Sequence, residues 1–350
     1  MKKLLCVVLL ATALASCGSD SEEQAGQDSE VTVRLVTHDS FSASEAVLEA
    51  FRKESGIKIE VVPSGDAGEL VNKSALTAGN PLGDVLFGVD NTFLSRALEA
   101  DLFEPYESPA LTSVPDDLEL DAEHFVTPID HGEVCVNYHL PAYGGSESPP
   151  PTTLAELPQA RYRDQLVVEN PATSSPGLAF LLATIARFGE PGWEDYWRSL
   201  RANGVQIVAG WEEAYNGSFS GGAGKGDRPL VVSYASSPPA EVHFSETPEA
   251  VPSTAVMEDG CFRQVEFAGV LRGSSQIEAA QKVIDFLLSP EFQADIPLNM
   301  FVFPAREGVE LPDVFEQFAA RPADPLTMDP ARIDEGREQW VARWTELMLG

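Results

Sequence analysis

The chain is poor in basic side chains. Its 350 residues include 23 lysines and arginines against 55 aspartates and glutamates, which gives a formal net charge of −32. Nucleic acids bind to clustered lysine and arginine, so this balance excludes a nucleic-acid surface. A strongly acidic surface also keeps many proteins in solution. The charge therefore permits a cationic ligand without identifying one.

Patterns typical of metal sites and of common enzymes are also missing. The five histidines show no paired ligand spacing, and no Cys-x-x-Cys motif occurs, so we predict no metal site. The chain has no Gly-x-Ser-x-Gly elbow and no dinucleotide fingerprint. The stretch Gly221-Gly222-Ala223-Gly224-Lys225 lacks the spacing and the hydroxyl of a phosphate loop and predicts a surface loop. We therefore expect no catalytic residues and no cofactor.

No segment after the first residues looks transmembrane. A basic start and a short apolar stretch lead to Leu14-Ala15-Ser16-Cys17, which resembles the lipobox of bacterial lipoproteins. We predict a signal peptide over residues 1–16 and a lipid on Cys17 that anchors the protein to a membrane outside the cytoplasm. Residues 17–30 hold five acidic and no basic side chains, which predicts a disordered tether.

Only two of the four cysteines belong to the rest of the chain, Cys135 and Cys261. Outside the cytoplasm, such a pair can form a disulfide. The alternative is two buried thiols, and the sequence leaves both open.

Hydrophobic patterns predict β-α-β units in the first part of the folded region. A capping box at Ser42-Ala-Ser-Glu45 begins a helix that Gly56 ends, and a second helix covers residues 68–78. Such units predict a parallel sheet covered by helices, and the chain near its end carries an amphipathic helix with Trp340 and Trp344. The predicted strands are residues 31–36, 57–62, 84–89, 133–138, 165–168, 205–208, 230–234 and 265–271.

Six segments carry a likeness to a known family. They are Asp39-Ser-Phe41, Phe87-Gly-Val-Asp-Asn91, Pro171-Ala-Thr-Ser-Ser-Pro-Gly-Leu178, Gly210-Trp-Glu-Glu-Ala-Tyr215, Val232-Ser-Tyr-Ala-Ser-Ser-Pro238 and Phe286-Leu-Leu-Ser-Pro-Glu-Phe-Gln293. In this order they resemble the periplasmic thiamine-binding proteins of ABC importers. The Gly-Trp-x-Glu-Ala-Tyr and Ser-Tyr-x-x-Ser-Pro motifs are the most specific of them.

The resemblance implies an α/β chain with the type 2 periplasmic-binding-protein fold, in which two α/β lobes are joined by a hinge of two crossing segments. Residues 31–128 and 266–350 would form lobe 1, and residues 129–265 would form lobe 2. The ligand would be thiamine, thiamine monophosphate or thiamine diphosphate. The partner would be an ABC transporter permease, and we expect the protein to be a monomer.

The resemblance also implies the ligand contacts. Trp211 and Tyr234 would offer aromatic faces to the thiazolium cation. A helix start at Ser174 and Ser175 would attract a phosphate group. Phe301 is a further aromatic candidate. The other candidates are Asp66, Ala67, Ala235, Ser236 and Ser237 by position in the family, with Asp39 and Asp130 as additional carboxylates.

Two departures from the family pattern concern the ligand site. Ala67 stands where the family has glycine, so the close approach of this loop to a ligand is in question. Phe301-Val-Phe303 stands where the family has tryptophan and tyrosine, so stacking is retained while a hydroxyl contact is lost.

Other functions fit parts of the sequence. A related receptor could take a polyamine or ferric iron, although iron-binding relatives use adjacent tyrosines and Tyr234 has no tyrosine next to it. A thiamine-degrading transferase on the same scaffold would need Cys135 as nucleophile and Glu133 as base.

Overall fold

The computed structural model describes residues 30–144, 149–247 and 250–350. The predicted signal peptide, the lipidated Cys17 and the tether up to residue 29 lie outside the described residues. From Val31 to Gly350 the chain forms one compact unit. In this described part, no helix combines the length and the apolar character needed to cross a membrane.

The strands form one mixed sheet in the order β2-β1-β3-β9-β5-β8-β6-β7, with β4 and β10 paired to β9 and β5. In chain order the described strands are β1 (Val31–Thr37), β2 (Ile57–Pro63), β3 (Val85–Asp90), β4 (Phe103–Glu104), β5 (Thr127–His139), β6 (Leu166–Glu169), β7 (Gln206–Val208), β8 (Leu230–Tyr234), β9 (Thr254–Leu271) and β10 (Phe303–Pro304). β1 is parallel to β2 and β3, and β6 is parallel to β7 and β8. The parallel pairing predicted for the first β-α-β units is confirmed in β1, β2 and β3. The sheet as a whole is mixed, because β9 and β5 run antiparallel to their neighbours.

The two long strands β5 and β9 pair over almost their whole length. Thr127 lies opposite Ala268 at one end and His139 opposite Thr254 at the other. The register shifts twice, between Pro128 and Asp130 and again between Val134 and Val136; such bulges bend and twist a strand. Only residues 265–271 of β9 are predicted from the sequence, because the polar run at residues 258–260 interrupts the hydrophobic pattern.

Helices pack against the sheet. They are α1 (Glu45–Ser55), α2 (Ala67–Leu76), α3 (Leu94–Glu99), α4 (Ser175–Ala202), α5 (Pro238–His243), α6 (Ile277–Leu287), α7 (Pro290–Asn299), α8 (Asp313–Phe318) and α9 (Pro330–Leu349). The predicted start of α1 at Ser42 is two residues early. Ser44 has the extended backbone of an N-cap, and its hydroxyl accepts the Val47 N–H at 3.3 Å. Gly56 ends α1 with φ of 70°, as predicted.

The last helix, α9, packs against α4. The rings of Trp344 and Trp197 meet edge to face, with centroids 5.4 Å apart, and both side chains are fully buried. The indole N–H of Trp340 donates to Glu190, and Arg343 forms ion pairs with Glu190 and Glu194. The chain therefore ends in a helix that is part of the core, as the spacing of its tryptophans predicts.

We expect Trp344→Ala to lower the free energy of unfolding by about 3–5 kcal/mol, because it leaves a cavity against Trp197. Urea denaturation followed by circular dichroism measures this. Leu349→Ala is the control, since Leu349 is on the same helix and 52% exposed, and its effect is expected within about 0.5 kcal/mol. Equal effects of the two substitutions would contradict the packing described for α9.

Candidate functional site

The described residues border a cavity of about 680 Å³. It is bordered by the segment after β1, the start of α2, the start of α4, residues 211–223, the end of β8, the middle of β9 and residues 299–302. Ends of strands and starts of helices are where open α/β sheets bind ligands. The volume is that of a site for a small organic molecule.

The structure brings most of the predicted ligand residues to this cavity. Those that line it are Asp39, Asp66, Ala67, Ser175, Trp211, Tyr234, Ser237 and Phe301. Ser174, Ala235, Ser236 and Asp130 do not line it and are almost completely buried.

Each residue that does not line the cavity has another place in the fold. The hydroxyl of Ser174 accepts the Gly177 N–H at 3.5 Å and caps α4. Ala235 packs against the disulfide between Cys135 and Cys261. Ser236 follows in the same turn with its hydroxyl buried. A cysteine held in a disulfide is no nucleophile, which removes the basis of the transferase hypothesis.

Asp66 connects three chain segments at the edge of the cavity. Its carboxylate accepts the N–H of Ala67 at 2.6 Å, of Ser175 at 3.2 Å and of Trp211 at 2.9 Å. Burial raises the pKa of Asp66, while the Trp211 and Ser175 N–H donors act against that rise. The start of α4 therefore already faces a carboxylate of the protein itself.

Trp211 is held in place on one side by Tyr215. The two rings stack with centroids 5.0 Å apart and an interplanar angle of 13°. The indole N–H donates to Ser233 Oγ at 2.9 Å, and this hydroxyl is 3.0 Å from that of Ser237. Tyr215 lies in a π-helical turn, Glu213–Ser218, a form that is frequent at functional sites. It belongs to a motif quoted above, although its role as a support is not evident from the sequence.

A second aromatic group borders the cavity. Phe244, just after α5, and Phe301, just after α7, meet with centroids 5.7 Å apart. Phe301 has a positive φ of 56°, which is uncommon for a residue with a large side chain. Phe244 is 72% exposed and has no motif in the sequence that marks it.

The middle of β9 contributes Glu266 to the cavity, in contact with two other titratable groups. His38 Nε2 is 3.3 Å from Glu266 Oε1, and Asp130 of β5 lies directly opposite Glu266 in the sheet. Burial raises the pKa of Glu266 to about 8 and raises the pKa of Asp130 well above its usual range. Burial lowers the pKa of His38. Sequence reasoning missed Glu266, because a single acidic residue in a strand has no motif.

The charge of the lining is one-sided. Among the described residues that line the cavity, the acidic and basic side chains are carboxylates and one histidine, and none is a lysine or an arginine. The carboxylates are Asp39, Asp66, Glu212, Glu241 and Glu266. Within the same residues, no group of three or more His, Cys, Asp or Glu is arranged to hold a metal ion. The lining therefore favours an organic cation with aromatic character.

Comparisons with known proteins identify the family of the chain. The model of a family described as bacterial extracellular solute-binding protein matches residues 80–324. The thiamine-binding periplasmic protein of Salmonella typhimurium is 32% identical over 89% of this chain and 91% of its own length, and that of Escherichia coli is 31% identical over the same shares. A solved periplasmic thiamin binding protein superposes with a TM-score of 0.80 at 28% identity, covering 92% of this chain and 98% of its own.

We expect the stability of the unliganded protein to fall between pH 5 and pH 8 through Glu266. Its folded pKa of about 8 lies above the ordinary value of 4.5, so in this window the folded state keeps a proton that the unfolded chain has released. The loss is at most about 1.4 kcal/mol per pH unit.

Glu266→Gln should remove this loss, as measured by urea denaturation at each pH. Glu258→Gln, on an exposed position of the same strand, is the matched control and should follow the wild type. Parallel curves for the wild type and Glu266→Gln would contradict the assignment of the raised pKa.

Proposed function

Because the chain belongs to the bacterial extracellular solute-binding protein family, we propose that it is the extracytoplasmic receptor of an ABC importer and binds thiamine in its cavity. The observation that carries this proposal is the combination of Trp211, stacked on Tyr215, with Tyr234 and carboxylates around one cavity. The names of the two relatives and of the solved structure support the same ligand.

The chemistry of the ligand explains this combination. The thiazolium ring of thiamine carries a permanent positive charge, which no change of pH removes. An aromatic face contributes about 0.5–2 kcal/mol toward such a cation. Carboxylates around the cavity add a long-range attraction, which is stronger in a partly buried cavity than in water.

We propose the domain boundaries and the export signals as parts of the same function. Residues 31–128 and 266–350 would form one lobe and residues 129–265 the other, so that β5 and β9 are the two crossings of the hinge. A ligand that contacts both lobes would stabilise the closed form, which the permease recognises. α9 belongs by sequence to the first lobe but packs on α4 of the second, so it would restrain the opening. A lipid on Cys17 would keep the monomeric receptor at the membrane.

We expect isothermal titration calorimetry to give a thiamine dissociation constant in the nanomolar to micromolar range. Trp211→Ala should weaken binding about 2- to 30-fold, the effect of one aromatic face. Trp211→Phe is the control, since it keeps an aromatic face. No binding of thiamine or of either phosphate ester by the wild type would refute the proposal, and competition by spermidine or ferric citrate would favour the other cationic solutes.

Phosphate esters of thiamine should also bind, but less tightly. At the start of α4, the N–H of Ser175 is taken by Asp66 and that of Gly177 by Ser174, while Pro176 has none. Among the described lining residues, no lysine or arginine can balance a phosphate. The anion site expected at Ser174 and Ser175 is therefore occupied by the carboxylate of Asp66.

Titration of the wild type with the three ligands should give the tightest binding for thiamine, weaker binding for the monophosphate and the weakest for the diphosphate. We expect the monophosphate to bind about tenfold more weakly than thiamine, because its phosphate is repelled by the carboxylates. Asp66→Asn should reduce the difference in affinity between thiamine and its phosphate esters, because it removes the negative charge at the start of α4. Equal affinities for the three ligands would show that a phosphate finds donors that the carboxylate does not block.

A further inference from the structure

Two side chains of β9 face the cavity from its floor. Gln264 and Glu266 are two residues apart and therefore point to the same side of the strand. Neither belongs to the six segments quoted in the sequence analysis. Both are buried far enough to make their hydrogen bonds with few water molecules, since Gln264 is 3% exposed and the side chain of Glu266 is 13% exposed.

A chain of hydrogen bonds fixes the orientation of the Gln264 amide. Three donors converge on Asp90 Oδ1: the N–H and hydroxyl of Thr92 and the N–H of Phe93. The hydroxyl of Ser175 donates to Asp90 Oδ2. Ser175 Oγ in turn accepts the amide N–H of Gln264 at 2.6 Å. The amide nitrogen of Gln264 is thus directed to Ser175, and its oxygen is left for another partner.

That oxygen, Gln264 Oε1, has no hydrogen-bond partner in the described chain, although it is buried. An unpaired buried acceptor costs about 1–3 kcal/mol. Because Gln264 lines the cavity, a ligand with an N–H donor at this place would remove the cost. This observation points to a donor on the ligand and not to an acceptor.

The carboxyl of Glu266 complements the amide of Gln264. Asp130 lies directly opposite Glu266 on the neighbouring strand, and two carboxylates in such a position repel each other unless one holds a proton. A protonated carboxyl has one O–H donor and one acceptor side by side. The 4-aminopyrimidine ring of thiamine offers the matching pair, a ring nitrogen that accepts and an amino group that donates.

We infer that Gln264 and Glu266 select the amino-substituted edge of a pyrimidine ring, with Gln264 Oε1 accepting from the amino group and the carboxyl of Glu266 facing the adjacent ring nitrogen. Ser175 is a positioning residue that keeps the Gln264 oxygen toward the ligand. A 4-oxo pyrimidine would place an oxygen against Gln264 Oε1, and the two acceptors would repel. This inference rests on the proposed function and deepens it, since it names the group that distinguishes the ligand.

The test compares thiamine with its 4-oxo analogue by calorimetry. The wild type should bind thiamine at least about tenfold more tightly than the analogue, which corresponds to about 1.4 kcal/mol. Gln264→Leu should reduce this ratio to less than about threefold, because the acceptor is gone. Ser175→Ala should also reduce it, since the Gln264 amide is then free to rotate.

Gln206→Leu is the matched control. Gln206 also donates its amide N–H to a serine hydroxyl, that of Ser218 at 2.8 Å, and it does not line the cavity. In Gln206→Leu, the ratio of the affinities for thiamine and the 4-oxo analogue should equal that of the wild type. Circular dichroism establishes that each variant is folded.

The outcomes separate this inference from the proposed function. If the wild type binds both compounds with a ratio below about threefold, the receptor function stands and the role of Gln264 is overturned, whatever the variants do. A wild-type ratio that survives in both Gln264→Leu and Ser175→Ala overturns it as well. If the wild type binds neither compound, the proposed function fails and the inference fails with it.

Discussion

The pairing of β5 with β9 determines the geometry of the whole site. These two strands occupy the centre of the sheet, join its two halves and are linked by the disulfide between Cys135 and Cys261. Their register brings Asp130 opposite Glu266 and turns Gln264 and Glu266 toward the cavity. A shift by one residue would turn these side chains to the other face. The bulge at Pro128 and Asp130 lies where this pairing passes beneath the cavity.

Electrostatics and hydrogen bonding divide the cavity into regions of different character. Around Trp211 and Phe301, aromatic faces and carboxylates favour a cation without requiring a particular hydrogen bond. On the floor, burial raises the pKa of the Glu266 carboxyl to about 8, and the chain of hydrogen bonds from Asp90 through Ser175 orients Gln264. A ligand with a cationic ring and a hydrogen-bonding ring, joined by a short link, matches both regions. Asp66 connects three segments that border the cavity.

Local patterns made much of the fold predictable. The β-α-β units from β1 to β3 follow from alternation, caps and glycine, because each of these acts over a few residues. The Gly-Trp-x-Glu-Ala-Tyr and Ser-Tyr-x-x-Ser-Pro motifs led to Trp211 and Tyr234, and both line the cavity. The antiparallel insertion of β9 could not be predicted in this way, because it depends on pairing between strands more than a hundred residues apart.

The same limit explains which site residues were missed. Glu266 and Gln264 are single polar residues within a strand, and their function comes from His38, Asp130 and Ser175, which are distant in sequence. Conversely, Ala235 and Ser236 follow Tyr234 directly, yet the turn after β8 directs them into the core. Position in a motif identifies a segment that approaches the ligand, whereas the direction of each side chain depends on the backbone that follows.

The account as a whole is tested most directly by a crystal structure of the protein with thiamine bound. We expect the aminopyrimidine ring on the floor, within hydrogen-bond distance of Gln264 Oε1 and the carboxyl of Glu266, and the thiazolium ring against Trp211. A ligand bound outside the cavity, or one with its pyrimidine ring away from β9, would contradict the account.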